Sequence, residues 1–529
     1  MGSRNIAEVS KLTLGKLGDW QQQTLASLPD EMQQLAKTLF KNLTETLQPL
    51  LELGLDYLTL ARDGNTLSTG ELQRIQLAKT IRTETTGVLY VLDEPSIGLH
   101  PDNLKGLVNV FRKLIAQGNS LVVVDHDVDM IAAADWVIEI GPGSGAAGGQ
   151  IIATGTPRAL TNNPNSLIGP FLAGRATIMH PKVPTAKNGS SLDTEMKIQD
   201  YFNLKQLKIT IPGNQITAVT GFSGAGKTSL ILDSLVPAIQ AHASRERLPQ
   251  QVTQLKTKFT NVVSVDAKPV GKNTRSTLAT YTTIMDQLRT LFAAQPAAKQ
   301  QQLGRAAFSY NNKQGACPNC GGVGTITLDV QYLPDVVETC PVCHGTQYKD
   351  VVQQIRWHGY SIVDILNMSV KTALPVFAEL PKIEQQLQLL TDIGLDYLHL
   401  GESTPSLSGG EAQRLKLVSH LKKRQTKTLF VFDEPSVGLH PKDVQTLLGV
   451  LNQLKKRGAT IIIITHDLDL MANVDYMIDL GPRGGDQGGQ LMAAGNPREL
   501  VKEPTSITLQ YLRQHFKKFG LLHENADKA

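Results

Sequence analysis

The chain has 529 residues, 41% of them apolar, with 52 Lys and Arg against 48 Asp and Glu for a net charge of +4. That length exceeds a single core and predicts two to four packed domains, and so mild a basic excess neither demands nor excludes a nucleic-acid partner. All four Cys fall between Cys317 and Cys343, unlike a secreted disulfide framework, and neither an apolar signal core nor a membrane-length apolar run occurs, so a soluble, cytoplasmic protein is expected.

In chain order, the first informative stretch holds GLDYL at 54–58, LSTGELQR at 67–74, VLYVL at 88–92, DEPSIGLHP at 93–101 and LVVV at 121–124. The short β-branched runs predict strands buried on both faces of a parallel sheet. Between them, DNLKGLVNVFRKLIAQG has helical spacing and ends in Gly. Strand, helix, strand at this spacing predicts an α/β fold. Residues 176–200, rich in Pro, Lys, Asn, Gly and Ser, are expected to link residues 1–175 to residues 201–529.

Next comes an apolar run, QITAVT at 215–220, then Gly221-Phe222-Ser223-Gly224-Ala225-Gly226-Lys227-Thr228, then Ser229 and an expected helix over SLILDSL. This is GxxxxGK[ST] in its required strand-to-helix context. The glycines let backbone N–H groups turn toward phosphate, and the helix N-terminus adds its positive end. Lys227 is expected to reach the β- and γ-phosphates, and Thr228 to hold Mg²⁺.

Cys317-Pro-Asn-Cys320 and Cys340-Pro-Val-Cys343 stand 19 residues apart. Two CxxC pairs at that separation predict a structural Zn²⁺ held by four thiolates, with His344 left outside the complete shell. A redox role is the rival, and needs only one CxxC in a thioredoxin-like setting.

The last stretch repeats the first. Residues 43–172 align with 383–512 at a constant offset of 340: GLDYL returns at 394–398, LSGGEAQR at 407–414, DEPSVGLHP at 433–441 and GGQLMAAGNP at 488–497. Asp433 and Glu434 end the apolar run TLFVF, and His466 follows the run IIII. A carboxylate there can hold Mg²⁺ and a second can polarise an attacking water. His466 is placed to contact a γ-phosphate.

These residues resemble the ABC ATPase superfamily, with its Walker A, Walker B, signature and H-loop motifs. The resemblance implies head-to-tail pairing, in which one half's Walker motifs hold ATP and the other half's signature covers it. The intact site then combines Gly221–Ser229, Asp433, Glu434 and His466 with Ser68, Gly70 and Glu71. Two departures stand out: Thr69 replaces the family's signature Gly, and Ala267 occupies the position of the Q-loop Gln. A second half-site would combine Asp93, Glu94 and His126 with Ser408, Gly409, Gly410 and Glu411, but no GxxxxGK[ST] precedes it. Three explanations stay open: a fragment, a gene that lost that portion, or a second polypeptide that supplies it. One functional ATP site is expected per chain.

The cysteine pairs lie between Lys227 and the signature of the same half, where transporter cassettes carry no zinc ribbon. With RSTLATY at 275–281, QYLPDVVETCPVCHGTQY at 331–348 and the glycine-rich GPGSGAAGGQ and GPRGGDQGGQ, this makes the chain similar to the UvrA family from about residue 5 to 515. The resemblance implies an ATPase with ATP, Mg²⁺ and Zn²⁺ as cofactors, which binds damaged double-stranded DNA as a homodimer in nucleotide excision repair. It also implies UvrB as a partner, although the family's UvrB surface lies mostly before the first signature. The alternative is a UvrA-like DNA-binding scaffold without UvrB loading, of the kind associated with tolerance to DNA-binding drugs. Lys272, Arg275, Arg305, Lys313 and Lys349 near the cysteines are candidate DNA phosphate contacts. An ABC transporter motor is the rival class, and the four Cys argue against it.

Overall fold

A computed structural model describes residues 4–67, 69–81, 85–143, 145, 148–176, 178, 192–266, 270, 275–328, 336–421 and 424–521. Ser68, Ala267, Lys272 and much of the expected linker lie outside the described residues, as does the Thr69 side chain. The strands in chain order are β1 (Leu89–Asp93), β2 (Ser120–Val124), β3 (Val137–Gly141), β4 (Gln150–Gly155), β5 (Thr194–Ile198), β6 (Lys208–Ile211), β7 (Ile216–Gly221), β8 (Val252–Lys256), β9 (Asn261–Val265), β10 (Thr325–Leu328), β11 (Val336–Thr339), β12 (Thr428–Asp433), β13 (Thr460–Ile464), β14 (Tyr476–Gly481) and β15 (Gln490–Gly495). Contacts divide the chain into two compact units. One comprises Met1–Pro142, Gln150–Asp266 and Arg424–Ala529; the other comprises Gly143–Gly149 and Ala267–Lys423.

The first unit is built on a six-stranded sheet of order β15-β14-β7-β13-β12-β9, parallel except for the edge strand β15. Parallel strands need helical crossovers on both faces, which is why these runs are continuously apolar. Leu429, Val431, Ile462, Ile464, Ile478 and Leu480 share one core with Leu230, Ile231, Leu235 and Ile239 of the segment after the P-loop. Phe430, Phe432, Ile461 and Ile463, on the other face, are equally buried. The expected SLILDSL helix is present but divided: α-helical Lys227–Leu230, π-helical Ile231–Leu235, then α-helical Val236–Ser244.

The repeat-related strands of the first half behave differently. β1 pairs with β2 in parallel and β3 with β4 antiparallel, and these form two separate two-stranded sheets. The expectation that β1 and β2 are buried on both faces is therefore corrected. Val91 is 65% exposed, whereas Val431, 340 positions on, is 1% exposed. In the second half that face is covered by the core around Leu230–Ile239. In the first half Tyr90, Leu92, Leu121 and Val123 pack on the core of helix Pro101–Ala116, and the alternate residues remain exposed.

The second unit holds the antiparallel pair β10–β11, the cysteines and the second signature helix, Gly409–Leu417. Among the described residues, no helix is long and apolar enough to cross a membrane.

Candidate functional site

β7 feeds the loop Gly221–Thr228. Gly221, Gly224 and Gly226 take φ of 128°, 74° and 97°, a region glycine enters at little cost. A Cβ on Gly221 would lie 2.0 Å from the Leu480 carbonyl oxygen, and one on Gly226 would lie 2.7 Å from Leu204 Cδ2. The backbone is curled in the manner that gathers N–H groups around an anion, with no room for side chains at those points.

Lys227 is buried. Its Nζ donates to the carbonyl oxygens of Gly221 at 3.0 Å and Phe222 at 2.9 Å, and lies 3.0 Å from His466 Nε2. The same Nε2 is 3.5 Å from Glu434 Oε1. A buried lysine and a buried histidine thus meet a half-buried carboxylate. Burial holds Lys227 below the usual lysine range, against the opposing charges of Glu434 and Asp433. Burial also pushes Glu434 above the usual carboxylate range, with Lys227 resisting. Burial, then the Lys227 charge, keeps His466 well below its ordinary value and so neutral. A neutral imidazole accepts the ammonium proton at Nε2. Asp433, partly buried, is raised by burial and by Asp266, while Lys227 lowers it. Glu434 sits at φ 45°, and its counterpart Glu94 at 46°. That strained backbone is repeated at the same point of both halves.

First-half residues reach this group. Tyr57 Oη is 2.5 Å from Glu71 Oε1 and 3.2 Å from Ser223 Oγ. Arg62 pairs with Glu71 at 3.4 Å. A Cβ on Gly70 would approach the Ile97 carbonyl oxygen to 3.1 Å. His100 lies flat on Phe222, with ring centroids 4.1 Å apart. Its Nδ1 accepts from the Asp102 N–H at 3.2 Å, which leaves the ring proton on Nε2 to donate to Thr508 Oγ1 at 3.1 Å. Burial, aided by Lys227, pulls His100 down to about 3.

The second grouping is simpler. Asp93 ends β1, and His126 Nε2 lies 3.5 Å from Glu94 Oε1, matching His466 and Glu434. A Cβ on Gly438 would meet Glu94 Oε1 at 2.9 Å, so the second half's turn closes on the first half's acid. A cavity of about 800 Å³ is lined by Glu94, His126, Gly438, Glu434 and His466, among others. Ser408, Gly409, Gly410 and Glu411 belong to the second unit. There Ser408 Oγ accepts from the Glu411 N–H while the Glu411 carboxylate accepts from the Ser408 N–H, a capping box opening the helix Gly409–Leu417.

In the second unit the four cysteine sulfurs converge. Their ligand atoms all lie within 4.8 Å of one another, with Cys317 Sγ 4.0 Å from Cys340 Sγ and Cys320 Sγ 3.6 Å from Cys343 Sγ. Zn–S bonds of about 2.3 Å in a tetrahedron put sulfurs roughly 3.8 Å apart, so the set fits Zn²⁺. Asn319 donates to Cys340 Sγ at 3.3 Å and leads the contacts that lower that thiol to about 6. The cysteines are free of disulfides. Gly322 permits the knuckle, since a Cβ there would lie 1.9 Å from the Tyr310 carbonyl oxygen. Of the basic candidates, Arg305 and Lys313 are exposed, while Lys349 Nζ donates to the Lys313 carbonyl oxygen.

Sequence reasoning missed Tyr57, His100, Thr508 and Asp479. The first two stood inside quoted repeats, and a signal was available: Tyr57 precedes Glu71 by 14 residues as Tyr397 precedes Glu411, and the second pair is also hydrogen-bonded. Thr508 and Asp479 gave no local signal.

A parallel sheet with a P-loop after β7, paired acids at the end of β12 and a histidine after β13 is the arrangement of an ATP-binding-cassette fold. The chain is 41% identical over 527 residues to UvrABC system protein A of Thermus thermophilus, covering 98% of this chain and 55% of that protein. It is likewise 41% identical over 525 residues to UvrABC system protein A of Lactococcus lactis, again 98% and 55%. The crystal structure of UvrA2 from Deinococcus radiodurans superimposes with a TM-score of 0.87 at 37% identity, covering 97% of this chain and 64% of that one. The chain is thus similar along nearly its whole length to UvrA proteins, and spans a little over half the length of these curated relatives. A profile described as "AAA domain, putative AbiEii toxin, Type IV TA system" matches residues 381–472.

Proposed function

We propose that the chain is the ATP-hydrolysing, DNA-damage-recognising component of a UvrABC-type excision repair system. The observation that carries this reading is the meeting of the buried Lys227 and His466 with Glu434, beside a first-half signature tied to the same P-loop through Tyr57. Lys227 and the curled loop hold the β- and γ-phosphates, and Thr228 and Asp433 hold Mg²⁺. Glu434 is placed to polarise the attacking water, while neutral His466 contacts the γ-phosphate. Cys317, Cys320, Cys340 and Cys343 hold Zn²⁺ as a structural ion. Damaged duplex DNA, a second copy of the chain and UvrB are the partners, by relationship to the family. Phosphate contacts would give binding that weakens steeply with salt.

A second reading is favoured by Ala267 at the position of the Q-loop Gln. In it the protein is a DNA-binding ATPase scaffold that does not load UvrB. The test is steady-state ATP hydrolysis with and without damaged duplex, for wild type and Lys227→Ala, followed by capture of purified UvrB. Loss of hydrolysis in the variant supports the first site; equal rates overturn it. UvrB capture decides between the two readings.

A further inference from the structure

Tyr57 Oη lies between two groups of different chemistry. On one side is the Glu71 carboxylate, paired with Arg62 and hence an acceptor; on the other is the Ser223 hydroxyl. Tyr57 therefore donates its proton to Glu71, and Ser223 donates its own to Tyr57. The order Ser223 Oγ–H to Tyr57 Oη–H to Glu71 is fixed by the acceptor at its end. The ring lies close against two glycines: a Cβ on Gly224 would be 2.8 Å from Tyr57 Cδ2, and one on Gly485 2.9 Å from Tyr57 Cβ. Glu71 stands in the first turn of the helix Thr69–Ile81, whose opening the signature forms.

A triphosphate's terminal oxygens are acceptors only. A phosphate oxygen arriving at Ser223 can bond to it only if the serine proton leaves Tyr57. We propose that the Tyr57 hydroxyl is a positioning group that transmits γ-phosphate occupancy of the P-loop, through Ser223, to Glu71 and the signature helix. This deepens the ATPase reading and rests on it. Tyr57 does not touch the reacting atoms; it sets when the signature helix is seated for turnover.

The test uses the full chain with MgATP. Tyr57→Phe keeps the ring and removes only the hydroxyl; Ser223→Ala removes the other end. Each is expected to lower kcat about tenfold; in Tyr57→Phe KM for ATP should stay within twofold of wild type with the thermal midpoint unchanged, whereas Ser223→Ala, which also loses the phosphate contact, should raise KM. The double variant is expected to be no slower than either single one, because both cut the same chain. Wild-type kcat in Tyr57→Phe, or losses that multiply in the double variant, overturns the inference while Lys227-dependent turnover keeps the ATPase reading intact. Absence of Lys227-dependent turnover overturns both.

Discussion

His100 of the first half and Phe222 of the second half's P-loop are stacked face to face, 4.1 Å between ring centroids and 19° from parallel. The imidazole is fully buried and caps the helix Pro101–Ala116 through its Nδ1, so one side chain fixes a helix start and supports the loop that cradles phosphate. His100→Ala should lower stability by about 2–4 kcal/mol, through the lost cap, packing and Thr508 hydrogen bond. It should also raise KM for ATP roughly tenfold, about 1.4 kcal/mol of binding. Thermal melts and ATPase titrations check both, and an unchanged KM would show that the stack does not shape the loop.

The two halves should respond differently to one substitution. Val431→Thr places a hydroxyl in a closed core and should cost about 1–3 kcal/mol. Val91→Thr, at the repeat-related position, puts the same hydroxyl on a residue 65% exposed and should change stability by no more than about 0.5 kcal/mol. Urea unfolding of the two variants side by side measures the contrast; equal costs would mean that the outer face of β1 is covered in solution.

Asp479, on β14 beside the P-loop strand, is buried, and that burial pushes its carboxyl up to about 6 despite Ser506, Thr508 and the Lys227 charge. A carboxyl whose folded value exceeds its ordinary value of 3.8 favours folding in its neutral form. Its unfavourable contribution is absent below 3.8, grows as pH rises through the interval, and is complete above 6. Asp479→Asn should therefore raise the thermal midpoint at pH 7.5, by the equivalent of about 1–3 kcal/mol. That gain should shrink as pH falls toward 4. A gain that is the same at both pH values would place its origin elsewhere.

The thiol cluster should carry one Zn²⁺ per chain, measured by metal analysis of the purified protein. Cys340→Ser removes a buried ligand and should abolish stoichiometric binding. Strong chelators should expose the Gln314–Lys349 region to protease, with the ATP site left intact. Full zinc occupancy in Cys340→Ser would mean that another group completes the shell.

The sequence determined the parts whose chemistry is local. A P-loop needs glycines at fixed offsets, a thiolate site needs two CxxC pairs, and a buried parallel strand needs an unbroken apolar run; each was legible in Gly221–Thr228, Cys317–Cys343, and β7, β12 and β13. The constant offset of 340 likewise disclosed two related halves. What only the tertiary structure decided were relationships between residues far apart in the chain. Tyr57 reaches Ser223 across 166 positions and His100 reaches Thr508 across 408. Ring stacking and hydroxyl relays have no sequence period, because they depend on which loops the fold brings together. The same limit explains β1 and β2, whose apolar runs match those of β12 and β13 while one face of each stays exposed. A run of valines and leucines records what a strand can bury, and only its neighbours in space determine what it does bury.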